Sequence, residues 1–363
     1  MALKAQYTVD CNSRDVWLYV STIALLFIFF TSCSPLKYVS VENYNPAVLT
    51  FPPEMRRLLI VNNAVSQPDV PFESSVRRIP DSLKITADST AFDFCRTLGT
   101  IIAEFPGFDD VRLLDNYLRT DQLPLSAPVL TREVVGQLCD EHEVDVVVSL
   151  DRLLFRLKEY ANTMYGLDVS GVVDVEMEGI LRVYVPTRQT PLTTIELADT
   201  ITLSSDLMLE RNDLRDWDLL FSHDRSNLLR ESAKFQAEAV RIHFIPHWME
   251  DIRWYYVASG SRWKEASAYA VAERWEKASE VWKALYGRTS SWKQKARLAS
   301  NIALGMELTG DLDEALQYAN VSHQLLHEQL GADHSKVKRQ ELYVQVLTHR
   351  IEQERKLRRQ INL

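Results

Sequence analysis

Two pairs of histidines have the spacing that metal ligands use. His323 and His327 lie four residues apart, which on a helix places both imidazoles on one face. The residues between them lack the glutamate that serves as general base in zinc peptidases, so a polar helix face is the favoured interpretation. His243 and His247 could bind a metal ion together with His223. Structural polar contacts are favoured there too, and the sequence predicts no metal site and no cofactor.

Carboxylates form a second set of candidates. Asp145 and Asp151 bracket one predicted strand, and Asp174, Glu176 and Glu178 alternate along another. Paired carboxylates can act as general acid and base, but alternating acids on the solvent face of an antiparallel strand need no such role. The chain has no Gly-x-Ser-x-Gly motif and no glycine-rich phosphate loop after its first buried strand. We therefore predict a protein that is not an enzyme. A periplasmic metal-dependent hydrolase, with a cleft near Asp151 and the second histidine pair, is kept as an alternative.

A third chemical feature lies near the amino terminus. Val16 to Phe30 is an uncharged, mostly apolar stretch preceded by basic residues, and it is shorter than the ~20 residues of a membrane-spanning helix. It ends in Phe30-Thr31-Ser32-Cys33, which resembles the lipobox of bacterial lipoproteins, with phenylalanine in place of the usual leucine. The resemblance implies a signal peptide over 1–32 and a Cys33 that carries diacylglycerol and a further acyl chain such as palmitate. The alternative is an ordinary thiol after an uncleaved signal anchor.

The lipobox resemblance also implies a location. Several acyl chains, at ~0.8 kcal/mol per buried methylene, hold a protein on a membrane durably. No acidic run follows Cys33. Surface-exposed lipoproteins of the Bacteroidota often carry such a run, so we expect an outer-membrane lipoprotein that faces the periplasm.

Composition excludes several classes of protein. The chain has 363 residues, 46% of them hydrophobic and 25% charged, which is typical of two globular domains. A net charge of −9 argues against a nucleic-acid partner. Cys95 and Cys139 each lie on an apolar helical stripe. Buried thiols are the favoured interpretation, and a disulfide stays open because spacing alone cannot establish one.

The hydrophobic pattern predicts an α+β or α/β domain over 57–245, after an extended, proline-rich lead-in over 33–56. Arg57–Asn62, Val111–Leu114 and Asp145–Leu150 read as buried strands that alternate with two helices. After Leu150 the period changes to two and predicts three antiparallel strands, and Leu228–Ile245 predicts a helix that covers one sheet face. The expected architecture is a mixed-sheet sandwich.

This order of elements resembles the amino-terminal domain of TolB. The lipobox, the strand Leu58–Asn63, the segment Val144–Asp151 and the segment Ile245–Tyr256 together resemble a Bacteroidota lipoprotein family of unknown function. The resemblance covers most of the mature chain and implies a fold and an envelope location. It assigns no chemical role to any residue.

The carboxyl-terminal part, 246–363, is predicted to be an all-α domain of helical hairpins. Two segments align at a spacing of 37 residues, with small residues Ala266 and Ala278 matched by Ala303 and Ala315. They resemble tetratricopeptide repeats, in which such residues let two helices approach closely. Gly310 is expected to end one helix and Asp311 to cap the next. With two repeats only, Trp248–Tyr256 and the helix from His334 to Arg359 are expected to act as end caps.

Repeat hairpins present the first helix of each pair to a concave face. By repeat position, the predicted partner-binding residues are Trp263, Ser267, Arg297, Ser300, Leu304 and Glu307. We therefore predict a membrane-anchored, non-catalytic scaffold or adaptor that recruits an envelope protein or peptide. Besides the hydrolase, a glycan-binding envelope protein is a further alternative.

The last predicted helix is strongly basic. Its cations include Lys336, Lys338 and Arg339 near its start and Arg350, Arg358 and Arg359 towards its end. A solvated capping face is the favoured interpretation. Contact with anionic lipid or with an acidic partner is the alternative.

Overall fold

The structure is a computed structural model that describes residues 36–75, 84–119, 121–164, 167–205 and 225–361. The predicted leader over 1–32, Cys33 and His223 lie outside these residues. The chain forms two compact units, each built from two stretches of sequence. Among the described residues, the helical unit comprises 36–43 with Met249–Glu352, and the sheet unit comprises the described parts of Tyr44–Trp248 with 353–361. The prediction places one boundary between the two folded domains, between residues 245 and 246, whereas the two units interleave along the chain.

The sheet unit is built on a mixed sheet, as predicted. Its strands are β2 (Arg57–Asn62), β3 (Phe72–Ser74), β4 (Asp110–Leu113), β5 (Val146–Met164), β6 (Leu167–Tyr184) and β7 (Thr193–Ser205). The sheet order is β4-β2-β5-β6-β7, and β3 pairs with β5 beside this path. Its helices are α1 (Thr90–Ala103), α2 (Arg132–His142) and α3 (Arg225–Val240), and a 3₁₀ turn, Arg241–His243, follows α3.

Parallel and antiparallel pairing meet within one strand, β5. Its first residues pair in parallel with β2, in the register Leu58↔Val146, and its whole length pairs antiparallel with β6. The buried strand predicted over Asp145–Leu150 and the first antiparallel strand are therefore one element. The register shifts between Leu150 and Arg152, so Asp151 is the extra residue of a β-bulge. A bulge changes the direction in which a side chain points, and the candidate site depends on this one.

Two apolar layers enclose the parallel strands. One contains residues of α1 and α3 packed with the larger sheet core, and the other is built largely from α2. Cys95 lies in the first layer and Cys139 in the second, and both are free thiols. Burial raises the pKa of both, that of Cys139 to about 11. The prediction of two buried thiols is confirmed.

The helical unit contains α4 (Ser261–Val271), α5 (Trp275–Arg288), α6 (Trp292–Leu308), α7 (Leu312–Leu330) and most of α8 (Ser335–Ile361). The α5 and α6 backbones lie close together, since a Cβ on Gly305 would stand 1.8 Å from Ser279 Oγ. Gly310 has a φ of +89°, and the Asp311 carboxylate accepts a hydrogen bond from Glu314 N at 2.9 Å. Both predicted signals between α6 and α7 are confirmed. Glu273, in the turn before α5, also has a positive φ, 55°.

The prediction for Trp248–Tyr256 is wrong in its secondary structure. These residues belong to a strand, β8 (His247–Tyr256), which pairs with β1 (Leu36–Asn45) in a two-stranded sheet. The pairing joins segments about 200 residues apart in the chain, so no local pattern could show it. In the described parts of the chain, no helix has both the length and the apolar character needed to cross a membrane.

Candidate functional site

The predicted concave binding face of the helical unit is covered by the chain's own strand β8. The Asn301 side chain, on α6, accepts a hydrogen bond from Tyr256 N at 2.7 Å and donates one to Tyr256 O at 2.8 Å. The Tyr255 ring packs against Trp275 and Trp282 of α5, at 6.3 and 6.1 Å between ring centroids. An amide that satisfies both backbone groups of one residue holds the strand in a single register.

A buried charge cluster fixes the middle of β8. Glu307, 0% exposed at its side chain, lies 3.1 Å from Arg253 Nε of β8 and also pairs with Arg350 of α8. Tyr343 donates a hydrogen bond to the same carboxylate at 2.8 Å. Burial, and next the charge of Glu307, raise the pKa of Tyr343 well above its usual value. All donors around Glu307 come from the chain itself, so this carboxylate is a structural group.

The predicted partner-binding residues therefore need correction. Trp263, Ser300, Leu304 and Glu307 are buried. They cannot line an open groove, because β8 and the neighbouring helices cover them. Two others, Ser267 and Arg297, are partly exposed. Repeat spacing predicts one shared face for these residues, but it does not show that the chain covers most of them itself.

The sheet unit carries a second buried carboxylate, Asp151, which lies at the bulge inside β5 beside the carboxyl end of β2. Asp151, also 0% exposed, accepts hydrogen bonds from Asn63 Nδ2 at 2.8 Å and from Ser149 Oγ. Its second oxygen lies 2.5 Å from Arg182 Nη1 and 3.3 Å from the Tyr184 hydroxyl. The bulge in β5 turns the carboxylate into this network. Burial, and next the charge of Asp151, raise the pKa of Tyr184 to about 12.

The donors of this network also hold the segment that follows β4. Arg182 donates to Ala127 O at 3.1 Å, and the Tyr184 hydroxyl accepts from Leu130 N at 3.2 Å. Arg119 donates to Ser126 O at 2.8 Å and pairs with Asp121 at 2.7 Å. The described residues of this segment, 114–119 and 121–131, have no regular secondary structure, and these hydrogen bonds replace the ladder that would otherwise satisfy their backbone.

Apolar side chains of the held segment point into solvent. Tyr117, Leu123, Leu125 and Val129 are exposed, Leu125 to 73% and Leu123 to 62%. We call these four side chains the rim surface. Single exposed apolar residues are ordinary, whereas an exposed apolar patch is typical of an interaction site, so this segment is a candidate. None of the four is among the predicted site residues, although the run Leu123-Pro124-Leu125 is an apolar stretch that neither a helix nor a strand explains.

A catalytic site near Asp151 and the second histidine pair stays an alternative prediction. The partners of Asp151 are Asn63, Ser149, Arg182 and Tyr184, and no histidine is among them. Burial lowers the pKa of His243 and of His247. Among the residues described, no group of three or more histidines, cysteines and acids is arranged to hold a metal ion.

The remaining carboxylates make pair contacts on the sheet surface. Glu176 and Glu178 pair across the strands with Lys158 and Arg152 respectively, and Asp174 accepts a hydrogen bond from Thr202. Asp145 pairs with Arg57 at 2.8 Å, and its hydrogen bond to this arginine is the main cause of its lowered pKa. Ion pairs of this kind on a wet face are structural contacts worth up to about 1 kcal/mol each.

The chain matches two family models. Residues 55–256 match the model described as Domain of unknown function (DUF8603), and residues 264–349 match the one described as Domain of unknown function (DUF6340). No curated protein matches the chain. The resemblances to TolB and to tetratricopeptide repeats stay predictions.

Two solved structures are distantly similar to the chain. One is the hypothetical protein CT253 from Chlamydia trachomatis, with 10% identity over 52% of this chain and 97% of that protein, at a TM-score of 0.23. The other is a minor lipoprotein from Acinetobacter baumannii, with 8% identity over 53% of this chain and 95% of that one, at a TM-score of 0.24.

Proposed function

The chain belongs to the family of Domain of unknown function (DUF8603), and we propose that it is a non-catalytic docking protein of the cell envelope whose rim surface binds another envelope protein. The observation that carries the proposal is the anchoring of exposed apolar side chains by a buried polar network. Leu123 and Leu125 face solvent while the backbone around them is bonded to Arg119 and Arg182. Because the segment is already ordered, binding costs little conformational entropy.

The charge of the segment favours a protein partner over a lipid surface. Anionic membranes attract clusters of unpaired lysine and arginine. In the described residues between 114 and 130, the basic side chain is Arg119, and it is paired with Asp121. Asp115 adds an exposed negative charge. The rim surface therefore fits an apolar patch on a protein.

The predicted anchor supports an envelope setting for this docking role. The described chain begins at Leu36, three residues after Cys33. Lipid on Cys33 would hold the folded units beside the outer membrane, on the periplasmic side, and would raise their effective concentration for partners in the same membrane.

Site-specific photo-crosslinking in cells tests the proposal. A photoreactive amino acid at Leu125 of the full chain should give one discrete adduct with a different envelope protein, identified by mass spectrometry. The matched control is the same amino acid at Leu342, which is also exposed but lies on α8. The Leu123→Ser change should abolish the Leu125 adduct and leave the amount of protein unchanged.

Pairwise binding of the purified partner to the wild-type chain, but not to the Leu123→Ser variant, completes the test. Three results would overturn the proposal: no adduct from Leu125, an adduct with a second copy of the chain, or the same adduct from Leu342. Capture of lipid by the photoreactive group would also contradict it, because the rim surface would then lie on the membrane.

A further inference from the structure

A small basic pocket lies in the helical unit, whereas the rim surface belongs to the sheet unit. It has a volume of about 130 Å³. Three cations line it, Lys293 and Arg297 of α6 and Lys336 of α8. The other lining residues are aromatic or apolar: Tyr256, Trp292, Ala296, Leu326 and Leu330. No carboxylate is among the lining residues, in a chain whose net charge is −9.

The pocket cations have no acidic partner. Lys293, Arg297 and Lys336 form no ion pair with a carboxylate in the described parts of the chain. The acids in the last turn of α7 and just after it are engaged elsewhere and do not line the pocket. Asp333 pairs with Lys338 at 3.2 Å, and Glu328 accepts a hydrogen bond from Gln324 at 2.8 Å. Three unpaired like charges around one concavity repel each other, and an anion between them relieves that repulsion.

Aromatic rings hold two of these cations in place. Lys293 Nζ lies 5.5 Å from the centroid of the Trp292 ring, and the Arg297 guanidinium lies 5.7 Å from that of Tyr256. Tyr256 is itself fixed by Asn301 and accepts a hydrogen bond from Arg339 at 3.4 Å. Cation–π contacts leave the donor groups of lysine and arginine free to bind a ligand.

The volume of the pocket and its apolar lining residues indicate which kind of anion it binds. A volume of 130 Å³ equals about four water molecules, enough for one tetrahedral phosphate. The floor belongs to an apolar cluster of Ala296, Leu326 and Val337, which suits the carbon atoms of an ester better than a free ion. From these contacts we infer that the pocket binds the phosphate group of a phosphate ester, with Arg297 giving paired N–H donors and the two lysines giving point charges.

The phosphate could belong to a phospholipid headgroup or to a soluble ester. The lipid source is consistent with the predicted anchor on Cys33, because Leu36, the first described residue, packs against the aromatic core that contains Tyr256. The inference does not depend on the rim surface, which belongs to the other unit, so each can fail alone.

Lysine footprinting of the full chain tests the pocket. The protein is held in dodecyl maltoside micelles, which contain no phosphate, and acetylation of each lysine by an N-hydroxysuccinimide ester is followed by mass spectrometry. Glycerol phosphate is the soluble probe, and micelles that also contain phosphatidylglycerol are the lipid probe. Lys264 and Lys277 are exposed lysines of α4 and α5 that do not line the pocket and serve as internal controls.

At least one probe should halve the acetylation rate of Lys293 and Lys336 and leave both control lysines unchanged. Protection by glycerol phosphate alone indicates a soluble source, protection by phosphatidylglycerol alone indicates lipid, and protection by both indicates any phosphate ester. The Arg297→Gln change should remove this protection with an unchanged circular dichroism spectrum, and Lys264→Gln should not. The inference is overturned by protection from neither probe, by equal protection of Lys264, or by protection that survives Arg297→Gln.

Discussion

Two buried carboxylates, one in each unit, have similar partners and opposite consequences. Asp151 and Glu307 are both fully enclosed, and each meets arginine and a tyrosine hydroxyl. In the sheet unit the arginine also bonds to the backbone after β4 and keeps apolar side chains in solvent. In the helical unit one arginine belongs to strand β8, and the pair holds this strand against α6.

The difference lies in which element carries the cation. Arg182 is on the sheet and donates to the segment between β4 and α2, which Arg119 and the Tyr184 hydroxyl also hold. Arg253 is on the strand that is being held, so the charge cluster closes the face of the hairpins. A buried ion pair mainly specifies an arrangement and contributes little net stability. An arginine–carboxylate pair therefore holds an exposed apolar segment in the sheet unit, and a similar pair holds strand β8 over the hairpins in the helical unit.

Removal of the carboxylate from the helical cluster should have the largest effect. Glu307→Ala leaves Arg253 buried without a counter-charge, and we expect a loss of about 3–5 kcal/mol in the free energy of unfolding. Guanidinium chloride denaturation followed by circular dichroism measures it. Glu314→Ala is the matched control, because Glu314 forms a half-exposed pair with Lys283 and should cost less than about 1 kcal/mol. Equal costs for the two changes would refute a structural role for Glu307.

Removal of the Asp151 charge in the sheet unit should cost less stability, and it should loosen the backbone that carries the rim surface. Asp151→Asn weakens the bonds to Arg182 and Tyr184, and we expect a loss of about 1.5–3 kcal/mol. Hydrogen exchange of the Leu130 amide, which bonds to the Tyr184 hydroxyl, should become faster. Glu178→Gln, on an exposed pair with Arg152, is the control and should leave this exchange unchanged. If hydrogen exchange of the Leu130 amide is unchanged in Asp151→Asn, the polar network around Asp151 does not order the backbone of the rim surface.

The raised pKa of Tyr184 predicts a loss of stability at alkaline pH. Burial raises the pKa of Tyr184 to about 12, above the usual value of 10. The folded state therefore favours the protonated phenol. Its contribution to stability is complete below pH ~10 and is lost as the pH rises through the folded pKa. Denaturation midpoints measured from pH 9 upward should fall less steeply in Tyr184→Phe than in the wild type. Parallel curves would contradict the assignment.

A change on the rim surface should have the smallest effect on stability. Leu125→Ser removes an exposed side chain, and the free energy of unfolding should change by less than about 0.5 kcal/mol. Partner binding should nevertheless be lost. A large loss of stability in this variant would show that Leu125 is a packing residue and would remove the distinction between a displayed surface and a covered one.

Much of the fold could be predicted from local pattern. The continuous apolar run of β2 predicts this strand at its observed bounds, and the apolar stripe that contains Cys95 predicts a helix where α1 lies. The strand β8 could not be predicted, since its partner β1 lies about 200 residues earlier in the sequence and the residues that follow β8 read as helical. The bulge at Asp151 likewise becomes visible only when the register with β6 is known.

The candidate sites were less predictable than the fold. Repeat spacing places Ser300 and Leu304 on one helix face, but it carries no information on what covers that face. The rim surface depends on bonds from Arg119 and Arg182 to carbonyls that no side-chain pattern encodes. The sequence shows Lys336 only as part of a charged helix. Its position beside Lys293 and Arg297 at one pocket depends on how α6 and α8 pack, which local pattern does not show.

The central claim is that the sheet unit displays a binding surface while the helical unit covers its own. Photo-crosslinking from Leu125 and from Ser267, one of the two partly exposed residues of the predicted concave face, tests it in one experiment on cells. We expect a discrete adduct with another envelope protein from Leu125 and none from Ser267. An adduct from Ser267 and none from Leu125 would contradict it and would restore the concave face as the docking site.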